Sequence, residues 1–242
     1  MWDVSLDEFS AAVAEIEDPC DLWDRMVAFY ADHGVPLVSY HRIDPETADV
    51  AERQAVMAHG FPKSWVEHYV EHNLVDHDPI VALSARTAKP FFWKDIRDLV
   101  DLTHTEDRMI RELEDADFGD GLSVQVHGPG LRNGYVGLGF GGPRPDLSTA
   151  QIFALQCAAQ IAHLRYCELV PELDGLRDLS RREREVLSWI ARGKSNGVIA
   201  DILHVSRHTV DTIVRRIFEK LEVSDRTTAA IKALGNGLVT RN

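Results

Sequence analysis

Apolar residues recur at helical spacing over Leu6–Ile16 and Cys20–His33, and the pattern then switches to alternation across Leu37–Ile43. A period near 3.6 reads as an amphipathic helix and a period of two as a half-buried strand. Arg53–Ala58 alternates more weakly, as a second strand. Helical spacing returns over Pro62–His72, Pro79–Thr87 and Thr105–Asp117. Two further alternating runs, Leu122–His127 and Tyr135–Phe140, flank a glycine-containing turn and are expected to pair. Ser148 and Gln151 form a capping box that opens a long helix to about Cys167. Strands early and late, with helices around them, predict an α+β fold. The N-terminal part is expected to be an α/β/α sandwich whose antiparallel sheet encloses a ligand pocket.

The last quarter of the chain has a different rhythm. Ser180 and Glu183 form a second capping box before a helix over Glu185–Ala191, and Ser195 starts another that runs through Leu203. Ser206 caps a third over Arg207–Leu221, and Ser224 a fourth over Asp225–Leu234. Four short helices with a tight His204-Val205-Ser206 turn predict a small all-α helix-turn-helix domain. Pro171 stops the long helix and Gly175 loosens the chain after it. The expected organisation is therefore a first domain over 1–168, a linker over 169–177 and a second domain over 178–242.

Charge sharpens that division. The 242 residues carry a formal net charge of −13, but residues 175–242 hold 13 Lys and Arg against 8 Asp and Glu, a local charge of +5. The first 174 residues hold 13 basic and 31 acidic side chains, or −18. This is the balance of a basic module that meets a polyanion, joined to an acidic domain that does not. No apolar run approaches the roughly 18 residues of a membrane span. The acidic N-terminus shows no secretory signal, so no membrane association is expected. The three cysteines, Cys20, Cys157 and Cys167, lack metal-site spacing. Cys157 and Cys167 would lie about 15 Å apart along one helix, too far to bridge. These features predict a reduced, cytoplasmic location.

On the third C-terminal helix, Val210, Ile213, Val214, Ile217 and Leu221 form the inward stripe. Arg207, His208, Asp211, Thr212, Arg215 and Arg216 form the outward face. Arginines there can pair with guanine or phosphate and an aspartate can accept from cytosine, so this face suits the major groove of double-stranded DNA.

These residues are similar to a known family. Leu179-Ser-Arg-Arg-Glu183, Leu187 and Gly193-Lys194-Ser195, with Ile199-Ala200, Ser206-x-x-Thr209-Val210, Lys220-Leu221 and Arg226-Thr227, resemble the LuxR-type helix-turn-helix. In the first half Phe61-Pro62-x-x-Trp65-x-x-x-Tyr69, Asp78-Pro79, Trp93 and Gly121 resemble the acyl-homoserine-lactone-binding domain of quorum-sensing receptors. The resemblance implies a transcriptional regulator rather than an enzyme, with no cofactor and no metal but an N-acyl-homoserine lactone as ligand. It further implies a homodimer on an inverted-repeat DNA operator, with RNA polymerase as partner. Its ligand-binding residues would be Trp65, Tyr69, Asp78, Pro79, Trp93 and Gly121. The Trp65 indole would donate to the lactone carbonyl and the Tyr69 phenol to the acyl amide carbonyl, while Asp78 accepts from the amide N–H. Ser123 is added because Ser123, Gln125 and His127 share one face of their strand. Gly137, Gly139 and Gly141 leave the next strand bare, with room for an acyl tail or a packed helix. Asp211, Thr212 and Arg215 are expected at base edges. Lys194, Ser195, Arg207 and Arg216 are expected on the DNA backbone, with His208 beside them.

The chain departs from the family at Leu74, where an aromatic is common, at Val198, where an acid is usual, and at Ile213 and Arg216 on the recognition helix. An orphan regulator answering another molecule, or none, is the alternative within this class. Outside it, His68-x-x-Glu71-His72 spells a zinc-hydrolase pattern, but with no third ligand in view. Gly137-x-Gly139-x-x-Gly142 spells a dinucleotide fingerprint, but Pro143 and Pro145 follow where a helix should open. The long helix from Ser148, carrying Ile152, Leu155, Ala159, Ile161 and Leu164, is expected to form a dimer seam or to cover the sheet.

Overall fold

Side-chain caps set where most helices of this chain begin. Asp18 Oδ1 accepts from the Cys20 backbone N–H at 2.7 Å, and Pro19 occupies the first turn. Thr103 with Glu106, Ser148 with Gln151, and Ser180 with Glu183 each close a reciprocal capping box. The computed structural model describes residues 6–43, 56–129, 132–170 and 178–235. Most of the expected linker and residues 53–55 of the weaker expected strand lie outside these. The chain folds as two units that part at Val170–Pro171.

In the first unit the elements run α1 (Leu6–Ala14), α2 (Pro19–Asp32), β1 (Leu37–Ile43), β2 (Val56–His59) and α3 (Lys63–Glu71). A 3-10 turn (Leu74–His77) leads to α4 (Pro79–Ser84), β3 (Phe91–Phe92) and a second 3-10 turn (Trp93–Asp95). Then come α5 (Ile96–Leu99), α6 (His104–Asp115), β4 (Gly121–Val126), β5 (Asn133–Gly139) and α7 (Thr149–Leu169). The strands form one antiparallel sheet in the order β2-β1-β5-β4-β3.

Both faces of the sheet are covered. Val38, Leu122, Val124, Val136 and Leu138 point to one side, against α1, α2 and α7. There Leu155, Ala158, Ala159 and Ala162 of α7 are buried, so this helix covers the sheet. Of the residues named for a dimer seam, Ile152 and Ile161 are half-buried and Leu164 is 44% exposed, next to Phe153 at 49%. One helix thus carries an inner stripe and a separate outer apolar patch. The opposite face of the sheet meets α3 to α6 through a second cluster that includes Tyr69, Ile80, Trp93, Met109 and Tyr135.

The second unit contains α8 (Arg181–Ala191), α9 (Asn196–Leu203), α10 (Arg207–Leu221) and α11 (Arg226–Gly235). Its core is built from Val186, Leu187, Ile190, Ile199, Val210, Ile217 and neighbours. The turn between α9 and α10 passes through His204 at φ 52° and returns the Val205 N–H to Ala200 O at 3.0 Å. That left-handed residue makes the turn tight. The fourth cap differs from expectation. Asp225, not Ser224, accepts from the N–H groups of Thr227 and Thr228, because its carboxylate reaches both donors.

Candidate functional site

The site in the first unit begins with a turn. α3 ends at Glu71, and Asn73 takes a left-handed conformation, φ 48°. This conformation is cheap for asparagine. It reverses the chain so that Asp78 comes back beside Tyr69. Asp78 then does two things at once. Its Oδ1 caps α4 by accepting from Ile80 N at 2.8 Å and Val81 N at 3.3 Å, and its Oδ2 accepts from the Tyr69 hydroxyl at 2.9 Å. Burial pushes the Asp78 pKa up to about 6, against the pull of these three hydrogen bonds. Burial, helped by the neighbouring carboxylate, holds Tyr69 well above the usual phenol range, so it stays protonated.

These groups wall a cavity of about 60 Å³ between the sheet and the outer helices. That is room for about four water-sized groups. Phe61, Trp65, Tyr69, Trp93 and Tyr135 supply most of the ring surface. Trp65 is half-buried, its ring edge-on to Phe118 at 5.3 Å, and its indole N–H has no partner among the described residues. Trp93 Nε1 donates to the Tyr135 hydroxyl at 3.1 Å.

Of the residues expected to bind ligand, Trp65, Tyr69, Asp78 and Trp93 line this cavity. Pro79, Gly121 and Ser123 stand behind it. Pro79 sets the first turn of α4. Gly121 has no side chain because Trp93 lies on it: a Cβ there would sit 2.4 Å from the indole. Ser123 is 1% exposed and its Oγ is without a hydrogen bond. His127 lies beyond the end of β4 and is exposed. The bare face of β5 also has an occupant. A Cβ on Gly139 would lie 3.0 Å from the Trp93 indole, and one on Gly137 would lie 2.6 Å from Ser39 Oγ and 2.9 Å from the Tyr135 hydroxyl. Side chains of this same unit lie close over that face.

Sequence reasoning missed Ser39, His41 and Tyr135, all of which line the cavity. The signal was present. Ser39 and His41 alternate with Val38 and Tyr40, and a polar set on a buried strand marks a face with something to bind. Burial pushes the His41 pKa down to about 4, so its imidazole is neutral near pH 7. Its Nε2 lies 3.3 Å from Ser39 Oγ.

The zinc-like pattern resolves into ordinary contacts. His68 Nε2 lies 3.0 Å from Glu112 Oε2, and His72 Nδ1 lies 3.0 Å from the His68 carbonyl. No cluster that could hold a metal occurs among the described residues.

In the second unit α10 presents Arg207, His208, Asp211, Arg215 and Arg216 to solvent, with Lys194 and Ser195 exposed at the start of α9. Two of the expected base-edge groups have partners of their own. Asp211 Oδ1 accepts from Asn196 Nδ2 at 2.8 Å, and Thr212 Oγ1 donates to the His208 carbonyl at 3.0 Å. Arg226 ties the same corner by donating to Asn196 Oδ1 at 2.8 Å and to the Lys194 carbonyl. Ser195 caps α9. Beneath this surface Glu183 accepts from Ser180 N at 2.7 Å and from Lys220 Nζ at 2.8 Å, fixing α8 against α10.

Residues 18–166 match the autoinducer binding domain, and residues 177–233 match the luxR family of bacterial regulatory proteins. The HTH-type quorum sensing-dependent transcriptional regulator RpaR of Rhodopseudomonas palustris is 29% identical over 240 residues, 99% of this chain and 96% of its own. The transcriptional activator protein LuxR of Aliivibrio fischeri is 28% identical over 191 residues, 74% of this chain and 73% of its own. The crystal structure of Escherichia coli SdiA has the same fold, with a TM-score of 0.74 at 19% identity, covering 98% of this chain and all of that one.

Proposed function

Because the chain belongs to the luxR-family transcriptional regulators that carry an autoinducer-binding domain, we propose that it senses an N-acyl-homoserine lactone in the cavity of its first unit. Its activity is regulation of transcription, not catalysis. The single observation that carries the lactone reading is the unspent hydrogen-bonding capacity around Asp78. A carboxylate offers about four lone-pair sites. Ile80, Val81 and Tyr69 take three, which leaves one for a ligand amide N–H. The free Trp65 indole N–H stands on α3, one turn before Tyr69, to meet the lactone carbonyl. Tyr69 then acts mainly by holding Asp78, and the Trp93 indole is a wall. Pro79 and Gly121 support the two polar partners from behind, and Ser123 offers a buried hydroxyl close by.

A lactone needs more room than about 60 Å³. Pockets for drug-sized ligands measure about 300 Å³ or more, so in this reading binding moves α3 outward from the sheet. In our reading the protein acts as a cytoplasmic homodimer. Phe153 and Leu164 on α7, and Ile231 and Leu234 on α11, are exposed apolar pairs, one on each unit, suited to a twofold seam. The two α10 helices then read half-sites of an inverted repeat about 34 Å apart, with RNA polymerase recruited beside them. Arg215, with Asp211 and Thr212, faces base edges; Lys194, Ser195, Arg207, His208 and Arg216 face phosphates.

The experiment is fluorescence anisotropy of the full chain on a labelled inverted-repeat duplex selected from a random pool, with and without added lactone. The reading expects affinity to rise with lactone and to fall steeply with salt. Binding that ignores every lactone, yet selects a sequence, would favour an orphan regulator instead.

A further inference from the structure

The inner face of the sheet has a simple layout. Pairing across β1, β5 and β4 places Leu37, Gly139 and Gly121 in one row and Ser39, Gly137 and Ser123 in the next. His41, Tyr135 and Gln125 form the third row. Gly121, Gly137 and Gly139 make a bare floor, and of the β5 residues on that face Tyr135 is the one that lines the cavity. The Trp93 indole rests on Gly121 and Gly139, while the Tyr135 hydroxyl leans over Gly137. The hydrogen bond from Trp93 Nε1 to Tyr135 joins the two rings above the floor. His41 packs edge-on to Tyr135 at 5.1 Å and to Tyr69 at 5.6 Å. These rings occupy the ground that the glycines clear, and only about 60 Å³ is left beside them.

The protons can be counted as well. The Tyr69 hydroxyl spends its one proton on Asp78, and the Trp93 N–H spends its own on Tyr135. Tyr135 accepts that bond, and its own proton has no acceptor among the described residues. It is buried and stays protonated, because burial and the Asp78 charge hold its phenol well above the usual range. A buried donor without a partner in a ligand-sized wall calls for an acceptor from outside.

We propose that Tyr135 donates its hydroxyl proton to the acyl carbonyl of the ligand and that its ring, braced by Trp93, ends the acyl compartment. The lactone recognised is then one with a short, compact acyl group, not a long linear chain. This rests on the lactone reading of the cavity. The tail must stop at Tyr135, because extension along the floor collides with the joined rings.

The test supplies cells that make the full chain with equal amounts of butanoyl-, octanoyl- and dodecanoyl-homoserine lactone. The lactone retained by the purified protein is identified by mass spectrometry, and its affinity is measured by competition. Wild type should retain the butanoyl compound at least tenfold over the dodecanoyl one. Tyr135→Ala should reverse that order, gaining up to about fourfold per added methylene. Tyr135→Phe should keep the order and lose about fivefold in affinity for the butanoyl compound, the worth of one neutral hydrogen bond. Wild type that holds the dodecanoyl lactone as well as the butanoyl one overturns the proposal but leaves the lactone reading standing. So does a soluble Tyr135→Ala variant with unchanged order. Should Tyr135→Ala be insoluble, an unchanged affinity in Tyr135→Phe removes the donated bond. Retention of no lactone by wild type overturns the lactone reading and this proposal together.

Discussion

The Tyr69 hydroxyl donates to Asp78 Oδ2 at 2.9 Å across the reversal at Asn73, and both side chains are buried. The bond ties the end of α3 to the start of α4. It also holds Asp78 in the cavity wall, where the proposed reading has it accept from the ligand. Removing the donor leaves a buried carboxylate with one partner fewer, so Tyr69→Phe should weaken lactone binding about tenfold or more. Competition binding with a fluorescent lactone would measure it.

The same carboxylate gives the site a pH dependence. Asp78 has its pKa raised to about 6 from an ordinary 3.8, because burial disfavours the charge. Its contribution to stability is therefore full below the unfolded value and is lost as pH rises through about 6, at a cost of roughly 3 kcal/mol. A ligand N–H that donates to Asp78 favours the ionised form, so binding releases a proton. Lactone affinity should tighten from pH 5 to pH 7 in wild type and be flat in Asp78→Asn, as titrations at stepped pH would show.

Gly121 is the seat of the Trp93 indole. Gly121→Ala puts a methyl group 2.4 Å from a ring that is bonded to Tyr135 and cannot easily yield. Overpacking of this kind costs about 1–3 kcal/mol. Thermal unfolding should show a lower melting temperature for the first unit, with the second unit unaffected.

The outer patch of α7 predicts an assembly defect. Replacing Phe153 or Leu164, each exposed, by glutamate puts charge into the proposed twofold seam without touching the sheet-facing stripe. Sedimentation of lactone-loaded protein should shift toward monomer, and DNA affinity should fall with it.

On α10, Arg215→Ala should cost about 1–3 kcal/mol in DNA affinity and relax sequence preference. Lys194→Ala should weaken all sequences alike and lower the salt slope by about one. Equal, sequence-independent losses from both would undo that division of labour. Asn196→Ala frees Asp211 from its 2.8 Å bond and should alter preference without a change of charge.

Much of this architecture was legible in the residues. Ser148 with Gln151 and Ser180 with Glu183 announced their helices, and alternation placed β1, β4 and β5. The reading failed where partners lie far apart along the chain. Trp93 filling the space above Gly121 and Gly139 is a tertiary match that no local pattern encodes. Phe91–Phe92 is too short to show a period, yet pairs with β4 as an edge strand. The pattern around Asp78 points to a ligand acceptor, but one of its two oxygens caps α4 and the other accepts from Tyr69, a division that only the folded chain displays. Tyr135 looked like one more strand aromatic, because its unspent proton appears only once Trp93 is in place.

The most direct measurement is native mass spectrometry of the full chain made with and without acyl-homoserine lactones in the medium. The account predicts one lactone mass added per protomer in wild type and none in Asp78→Ala. A wild-type mass unchanged by any lactone, in folded protein, would contradict it.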